Sequence, residues 1–501
     1  MADSQSNASA RSSRTLHARI RSIGSTIVLH TKKHVGVGVV CAVAYFDPGN
    51  WGVDLQAGSQ FGHRLLFVVL LAGLFAAFLQ VLATRLGCVT GLDLASHCRV
   101  LLYDRPKHTR LYRWLGLYPL YILSEVAIIS TDLAELLGSA IALCLLFPRL
   151  ELWHGVLITA FDVVLLLALR DPLRSTRVRM FEVIIACLVL AVLICMVIII
   201  TKVHVDWPQA FEGFLPSKFL FSAGGLYTSV GVLGATVMPH SLFLGSTLAT
   251  QDRVTVERLE VLHVADSRET HADRENNTLD FIRAHLNHGI FDVVGSLLGF
   301  AVLINSMILI LAGTVFFQGH DSMTAPTSAS LFDAYNLIYH RVGPPAATVF
   351  AIALLASGQS SSIIATVAGQ AVSEGFLNWR VSPVVRRLLT RMIAVIPAMA
   401  VAIAVGRPGI NALLVASQVI LSIVLPFITL PLIYLTSSKA VMCVRKPETL
   451  VSTAGELGNP WDDSIDYSNG KASIVVGCTI WLLMSTANVY VITTLIIGAR
   501  S

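Results

Sequence analysis

The sequence predicts an all-α integral membrane protein of about 11 transmembrane helices, built as two inverted five-helix repeats whose first helices, the first and sixth of the chain, are broken. Three observations predict it. Hydrophobic residues make up 54% of the 501-residue chain and charged residues 13%, with a mean hydropathy of +0.71, well outside what a soluble domain of this length shows. Eleven apolar stretches approach or exceed the ~20 residues that a bilayer core requires. Two of them, five apart, carry a proline beside polar residues in mid-span.

Taken in order, residues 1–34 form a Ser- and Arg-rich tail with Arg11, Arg14, Arg19, Arg21, Lys32 and Lys33 and one acid, Asp3. That composition overlaps a mitochondrial transit peptide, but it reads as a basic cytoplasmic tail, with no cleavable secretory signal before the first span. Spans are expected at 35–58, 65–86, 115–146, 151–169 and 180–201, forming a first repeat over 35–201. The second repeat, 222–437, holds spans at 222–249, 288–316, 345–373, 388–405 and 409–436, with a charge-mixed loop at 250–287. A loop at 438–471 leads to an eleventh helix, 472–498, in the final stretch 472–501.

Orientation follows from the Lys and Arg bias. Besides the tail, one side receives Arg99, Arg105, Lys107 and Arg110, then Arg170, Arg174, Arg177 and Arg179, then Arg386 and Arg387, and finally Lys439, Arg445 and Lys446. The N-terminus is therefore expected in the cytoplasm and the C-terminus outside. The Asn276-Asn277-Thr278 sequon then faces away from the glycosylation machinery. The net charge of +5 is spent on this sidedness, which leaves no nucleic-acid partner to expect. Eight cysteines lie in or beside apolar spans without CxxC spacing, so they read as small apolar residues, neither disulfide framework nor zinc knuckle.

The chemistry sits at the two prolines. In "AYFDPGNWG", residues 44–52, Pro48 lacks the N–H that would reach the Ala44 carbonyl, and Gly49 eases unwinding. In "GATVMPHSLF", Pro239 frees the Ala235 carbonyl in the same way and leaves Met238 and His240 beside the break. Broken helices in corresponding positions of two repeats form midplane sites in secondary transporters, and irregular backbone at that depth survives only where it is buried or lines a cavity. A carboxylate at a helix centre costs about 2.5–3.5 kcal/mol, so Asp47 needs a cation, a proton or both. Asn50, the two freed carbonyls and the Met238 thioether complete a set of oxygens plus one soft sulfur. Hard Mg²⁺ and Ca²⁺ prefer all-oxygen shells, whereas a thioether favours softer transition ions, so Mn²⁺ or Fe²⁺ is the expected ion. One formal negative charge among neutral donors suits an ion that must leave again.

"DPGN" at 47–50 and "MPH" at 238–240, with "QVLATRLGCVTGLDLA" at 80–95, "STDLAELLGSAIAL" at 130–143 and "GQSSSIIATVAGQAVSEGF" at 358–376, resemble the natural resistance-associated macrophage protein family over residues 35 to about 437. The resemblance implies a LeuT-type fold and proton-coupled import of divalent transition metals. It matches Asp47 and Asn50 to first-helix metal ligands, Met238 to the thioether ligand and Ala235 to a backbone-carbonyl ligand, with Ala44 and Gln418 contributing in particular conformations. Two departures, Ser241 in place of asparagine and Gly245 in place of histidine, are similar to fungal members and remove any role that histidine had.

The third span carries Glu125, Asp132 and Glu135 at steps of seven and three, on one helical face. Acids so placed suggest a proton relay or a line of buried ion pairs, and the resemblance joins them to arginines matched by Arg386 or Arg387, a pair that could equally be a cytoplasmic anchor. His240, with an ordinary pKa near 6.5, sits beside the break and either carries the proton, the role that the resemblance gives it, or only bonds a carbonyl; Asp47 is the first choice for coupling in the proton pathway, because proton and metal compete for the one carboxylate.

The function expected is import of Mn²⁺, Fe²⁺ or similar ions toward the cytoplasm by alternating access, in a plasma or vacuolar/endosomal membrane. Metal ion and proton are substrates. No resident cofactor and no obligate protein partner beyond the lipid bilayer is expected. An intramembrane metalloprotease is disfavoured because HExxH is absent. A non-transporting metal sensor would need an output domain that these loops do not supply. A carrier of Mg²⁺ or an amino acid on the same architecture fits Asp47 and Met238 less well.

Overall fold

Pro48 and Pro239 each stop a helix, and the backbone follows. A computed structural model describes residues 36–161, 178–252, 274–317, 329–379, 383–446 and 464–498. The basic tail, Arg170, Arg174 and Arg177, and the centre of the 250–287 loop lie outside them. The first span divides into α1 (Val37–Val43) and α2 (Pro48–Phe61), each far shorter than a bilayer crossing. Next come α3 (Leu66–Thr90), the short α4 (Leu94–Leu102), α5 (Tyr118–Leu146), α6 (Leu152–Ala160) and α7 (Val178–Lys202). The sixth span divides into α8 (Ala223–Thr236) and α9 (Pro239–Leu248).

The rest of the chain supplies α10 (Leu279–Val315), the surface helix α11 (Leu331–Arg341), α12 (Pro344–Leu377), α13 (Pro383–Ala404) and α14 (Arg407–Ser437). A hairpin of β1 (Cys443–Arg445) and β2 (Ser464–Asp466) precedes α15 (Lys471–Gly498). Eight helical runs among the described residues are long and apolar enough to cross a membrane. The count falls short of eleven because neither half of a broken span qualifies alone and the fourth expected span is described only through α6.

Two expectations need correction. The seventh span starts at Leu279, not 288: Thr278 caps it by accepting from the Phe281 N–H at 3.4 Å, and Asp280 sits in its first turn. Its opening turns are polar, so an apolar window misses them. The 438–471 loop is not irregular throughout, since β1 and β2 pair antiparallel with Val444 opposite Ile465. Strands of three residues are too short to declare a period.

In lipid, helices associate through packing and internal polar contacts instead of water release. The arrangement is graded accordingly. The most apolar windows of α7, α13 and α15 are only 33%, 33% and 28% buried, whereas that of the run containing α5 is 83% buried. α5 is thus the central post, flanked by α12, α14, α6 and α13. Gly138 on α5 admits Pro48, since a Cβ there would stand 2.1 Å from the proline's own Cβ. The first break is therefore seated on the most buried of the candidate spans.

One end of the bundle is fastened by side chains. Arg85 of α3 donates to Asn469 Oδ1 at 2.8 Å and to the Tyr467 carbonyl at 2.7 Å, and Asn469 Nδ2 donates to Thr436 Oγ1 at 2.8 Å. Asn276 of the sequon is consumed there too, donating from Nδ2 to the Val441 and Cys443 carbonyls at 2.8 and 2.7 Å. Replacing Arg85 by Ala strips two partly buried charged bonds, each worth about 1.5–3 kcal/mol, so the thermal unfolding midpoint in detergent should fall by several degrees. An unchanged midpoint would show that this clasp does not hold α15 in place.

Candidate metal site

At the first break, Asp47 is the N-cap of α2 in extended backbone (φ −63°, ψ 165°), with Pro48 at the first helical position, the pairing that starts a helix most readily. Its Oδ1 accepts from the Asn50 N–H at 3.1 Å and its Oδ2 from the Gly49 N–H at 3.2 Å. The carboxylate is wholly buried, and no basic side chain forms an ion pair with it among the described residues. The unwound carbonyls beside it are divided. Tyr45 O accepts from Asn305 Nδ2 at 2.7 Å, and Phe46 O from Ser357 Oγ at 2.7 Å and Trp51 Nε1 at 3.0 Å. No hydrogen bond of the described residues reaches the Ala44 carbonyl, as Pro48 dictates.

The second break matches it. Val237 and Met238 are extended between α8 and α9, Met238 is fully buried, and Pro239 opens α9. The two breaks lie at one level, because contacts bracket them on both sides. Beyond them Val53 of α2 lies against Gly231 of α8, 3.7 Å from where a Cβ would sit, and before them Cys41 of α1 lies 3.3 Å from the Cβ position of Gly245 on α9.

Gln418 joins this centre from α14. A Cβ on Gly49 would stand 1.8 Å from Gln418 Nε2 and 3.0 Å from Asp47 Oδ2, so glycine at 49 lets the amide close over the carboxylate. Asn50 Nδ2 and Gln418 Oε1 are buried without a hydrogen-bond partner. Buried polar atoms left open cost about 1–3 kcal/mol each, a cost that a bound cation would remove for the Gln418 oxygen, an acceptor, whereas the Asn50 Nδ2 group is a donor and needs an acceptor such as water. Among the described residues no three His, Cys, Asp or Glu side chains converge to hold a metal; the breaks present one carboxylate with an amide pair, carbonyls and a thioether.

The predicted acids separate by environment. Glu125 and Arg386 form a two-pronged pair at 2.6 and 2.8 Å near the protein's edge. Asp132 Oδ1 receives Nη1 of Arg387 at 2.7 Å, and Arg387 also donates to Ser362 Oγ. With its side chain 3% exposed, Arg387 is no surface anchor. Glu135 is fully buried with neither oxygen hydrogen-bonded, and the charges acting on it are those of Asp132, Arg387, Asp47 and Arg391. His240 Nδ1 lies 3.3 Å from Thr131 Oγ1 on α5, while its Nε2 has no partner.

Three residues escape a reading of the sequence. Arg391 donates to the same Asp132 Oδ1 at 2.7 Å and to the Thr159 carbonyl of α6 at 3.0 Å. It lies one turn beyond Arg387, and that i,i+4 spacing was its only signal. Asp54, 2% exposed with Oδ2 unpartnered, stands one turn beyond Asn50 on the same face of α2. Gln80 accounts for Gly245. Its Oε1 accepts from Tyr45 OH and Ser241 Oγ, both at 3.1 Å, and its Nε2 would lie 1.6 Å from a Cβ at 245. The space a side chain would take at 245 is filled by this amide.

Residues 38–456 match the model described as natural resistance-associated macrophage protein-like. The chain is 44% identical over 471 residues to the manganese transporter pdt1 of Schizosaccharomyces pombe, covering 93% of this chain and 86% of the relative. It is 37% identical to the iron transporter SMF3 of Saccharomyces cerevisiae, covering 93% and 97%. A crystal structure of an Eremococcus coleocola manganese transporter mutant superposes with a TM-score of 0.72 at 30% identity, covering 93% of this chain and 87% of that one.

Because Asp132 holds two buried arginines, Asp132→Ala should destabilise the protein by about 3–5 kcal/mol, the cost of stranding buried charge, while Arg391→Met, which leaves the Asp132–Arg387 pair intact, should cost less. Thermal unfolding of single and double variants measures this; additive losses would show that the two groups are not coupled. Gly49→Ala should cut Mn²⁺ uptake at least tenfold at unchanged membrane abundance, since ~1.4 kcal/mol of misfit suffices, and wild-type uptake would refute the close approach of Gln418.

Proposed function

The chain belongs to the natural resistance-associated macrophage protein-like family, a multi-pass membrane family of metal-ion transporters with the LeuT-type arrangement, and from that premise we propose that it imports Mn²⁺, Fe²⁺ or similar ions toward the cytoplasm, coupled to protons. The observation that carries this reading is the pair of breaks at one level, one flanked by Asp47, Asn50 and the Ala44 carbonyl and the other by Met238 and the Ala235 carbonyl, with Gln418 closing over the carboxylate. A cation entering there gains one anionic oxygen, neutral oxygens and a polarizable sulfur. That donor set discriminates against Ca²⁺, which favours larger all-oxygen shells.

Alternating access follows from how the half-helices are held. α2 and α8 pack on one side of the breaks and α1 and α9 on the other, so either pair can part while the opposite pair stays closed. Coupling follows from scarcity of charge. With no basic partner, the Asp47 carboxylate is neutralised by a metal or by a proton, and arrival of one displaces the other. Glu135, unbonded and within the electrostatic reach of both Asp47 and the Asp132–Arg387–Arg391 group, is the next station for that proton, and His240 Nε2 gives a second exit.

Reconstituted into proteoliposomes with a luminal pH dye, the wild type should carry Mn²⁺ inward with luminal acidification, and Asp47→Ala should lose both fluxes. Mn²⁺ entry undiminished in that variant would remove Asp47 from the site, and entry without acidification would leave a uniporter. Met238→Ala should retain part of the Mn²⁺ uptake while its preference over Ca²⁺ falls by about tenfold, equivalent to ~1.4 kcal/mol. Unaltered selectivity would mean that the thioether is only packing.

A further inference from the structure

The segment joining α4 to α5 carries features that metal transport does not use. Residues 103–117 read "YDRPKHTRLYRWLGL", with Arg105, Lys107, Arg110 and Arg113 against the single acid Asp104. Its helical part, one α turn at Thr109–Tyr112 running into a π turn at Arg113–Leu117, continues directly into α5. Leu111, Trp114 and Leu115 are 55%, 70% and 73% exposed. Their i, i+3, i+4 spacing puts them on one face, which the Trp114–Tyr118 edge-to-face pair at 5.3 Å carries onto α5. There it meets exposed Ile122 and Val126, the outward stripe of a membrane-crossing helix. The apolar face of the segment is thus an extension of the lipid-facing surface, and lipid is what covers it.

The basic groups rim that face. Arg113 is fixed, with Nε donating to the Tyr103 carbonyl at 2.5 Å, its guanidinium 3.8 Å from the Tyr103 ring centre, and Nη2 at 3.5 Å from Asp104. The one acid is therefore already engaged. Arg105 is steered by its Nε bond to the Leu101 carbonyl at 2.7 Å and lies 5.7 Å from the Tyr112 ring centre. Lys107 and Arg110 are exposed and pair with no acid among the described residues. An exposed Trp with two leucines, beside three cations that pair with no acid among the described residues, is complementary to a lipid whose head group is anionic.

We propose that residues 105–115 form a binding site for an anionic phospholipid, with Arg105, Lys107 and Arg110 on the head-group phosphate and Leu111, Trp114 and Leu115 against the acyl chains. Lipid binding here is independent of which ion the transporter carries, and both membrane faces are open in the test, so neither the transport reading nor the orientation enters its outcome. Tryptophan fluorescence is recorded in nanodiscs of phosphatidylcholine containing an equal minor fraction of brominated phosphatidylserine or brominated phosphatidylcholine, and the Trp114→Phe signal is subtracted. Quenching of Trp114 should be about fivefold greater with the anionic lipid at low salt, and Lys107→Gln with Arg110→Gln should bring the two lipids level. Equal quenching by both lipids in the wild type would reduce the segment to an ordinary membrane contact. No quenching by either would mean that protein, such as a second copy of the chain, covers Trp114. Relief of quenching by soluble inorganic phosphate would assign the cations to a free anion. Each of these three results overturns the proposal.

Discussion

A hydrophobic medium permits no unsatisfied backbone, and the structure depends on how that constraint is met where two helices are broken. At the first break, Asn305 and Ser357 reach in from α10 and α12 to take the Tyr45 and Phe46 carbonyls. Asp47 takes the N–H groups of Gly49 and Asn50. What remains open is the Ala44 carbonyl and the outward lone pairs of the carboxylate. The scaffold therefore does more than hold the break: by satisfying its neighbours it selects which oxygens stay open. Asn305 follows a π turn at Leu297–Val302, the kind of local rewinding that often accompanies functional positions.

The same economy governs charge. Asp132 is buried, yet Arg387 and Arg391 bring two positive charges to it, and Glu135 three residues on has no hydrogen bond of its own. Two acids and two arginines balance as a group, with one acid left unbonded. Such a group is costly to desolvate and also responsive, because moving one proton changes the balance for every member. It links α5, α13 and, through the Thr159 carbonyl, α6, while Gly138 of α5 seats Pro48. The element that carries the acids is thus the element against which the first break is packed.

Much of this was legible in the residues. The broken spans needed only the absent N–H of two prolines, and Asp47, Asn50, Met238 and the two alanine carbonyls followed from position relative to them. Glu125, Asp132 and Glu135 followed from helical period. What was illegible lay where the signal is weak or long-range. The start of α10 hides in polar turns, the hairpin is too short for a period, and Arg391 falls just inside an expected apolar span, where a single charge forms no pattern.

The sequence by itself determined that the chain crosses a membrane, where its helices break and which side chains flank the breaks, because each of these depends on local rules of hydropathy, proline geometry and spacing. Only the tertiary structure decided who meets whom. Gln418 closes on Asp47 because Gly49 leaves room from 369 residues away. Gln80 fills the space above Gly245, and Asp132 is shared by two arginines while Glu135 is left open. Such choices are set by distances between helices remote in sequence, where a difference of one ångström separates a hydrogen bond from a clash or a vacancy, and no local pattern encodes that distance.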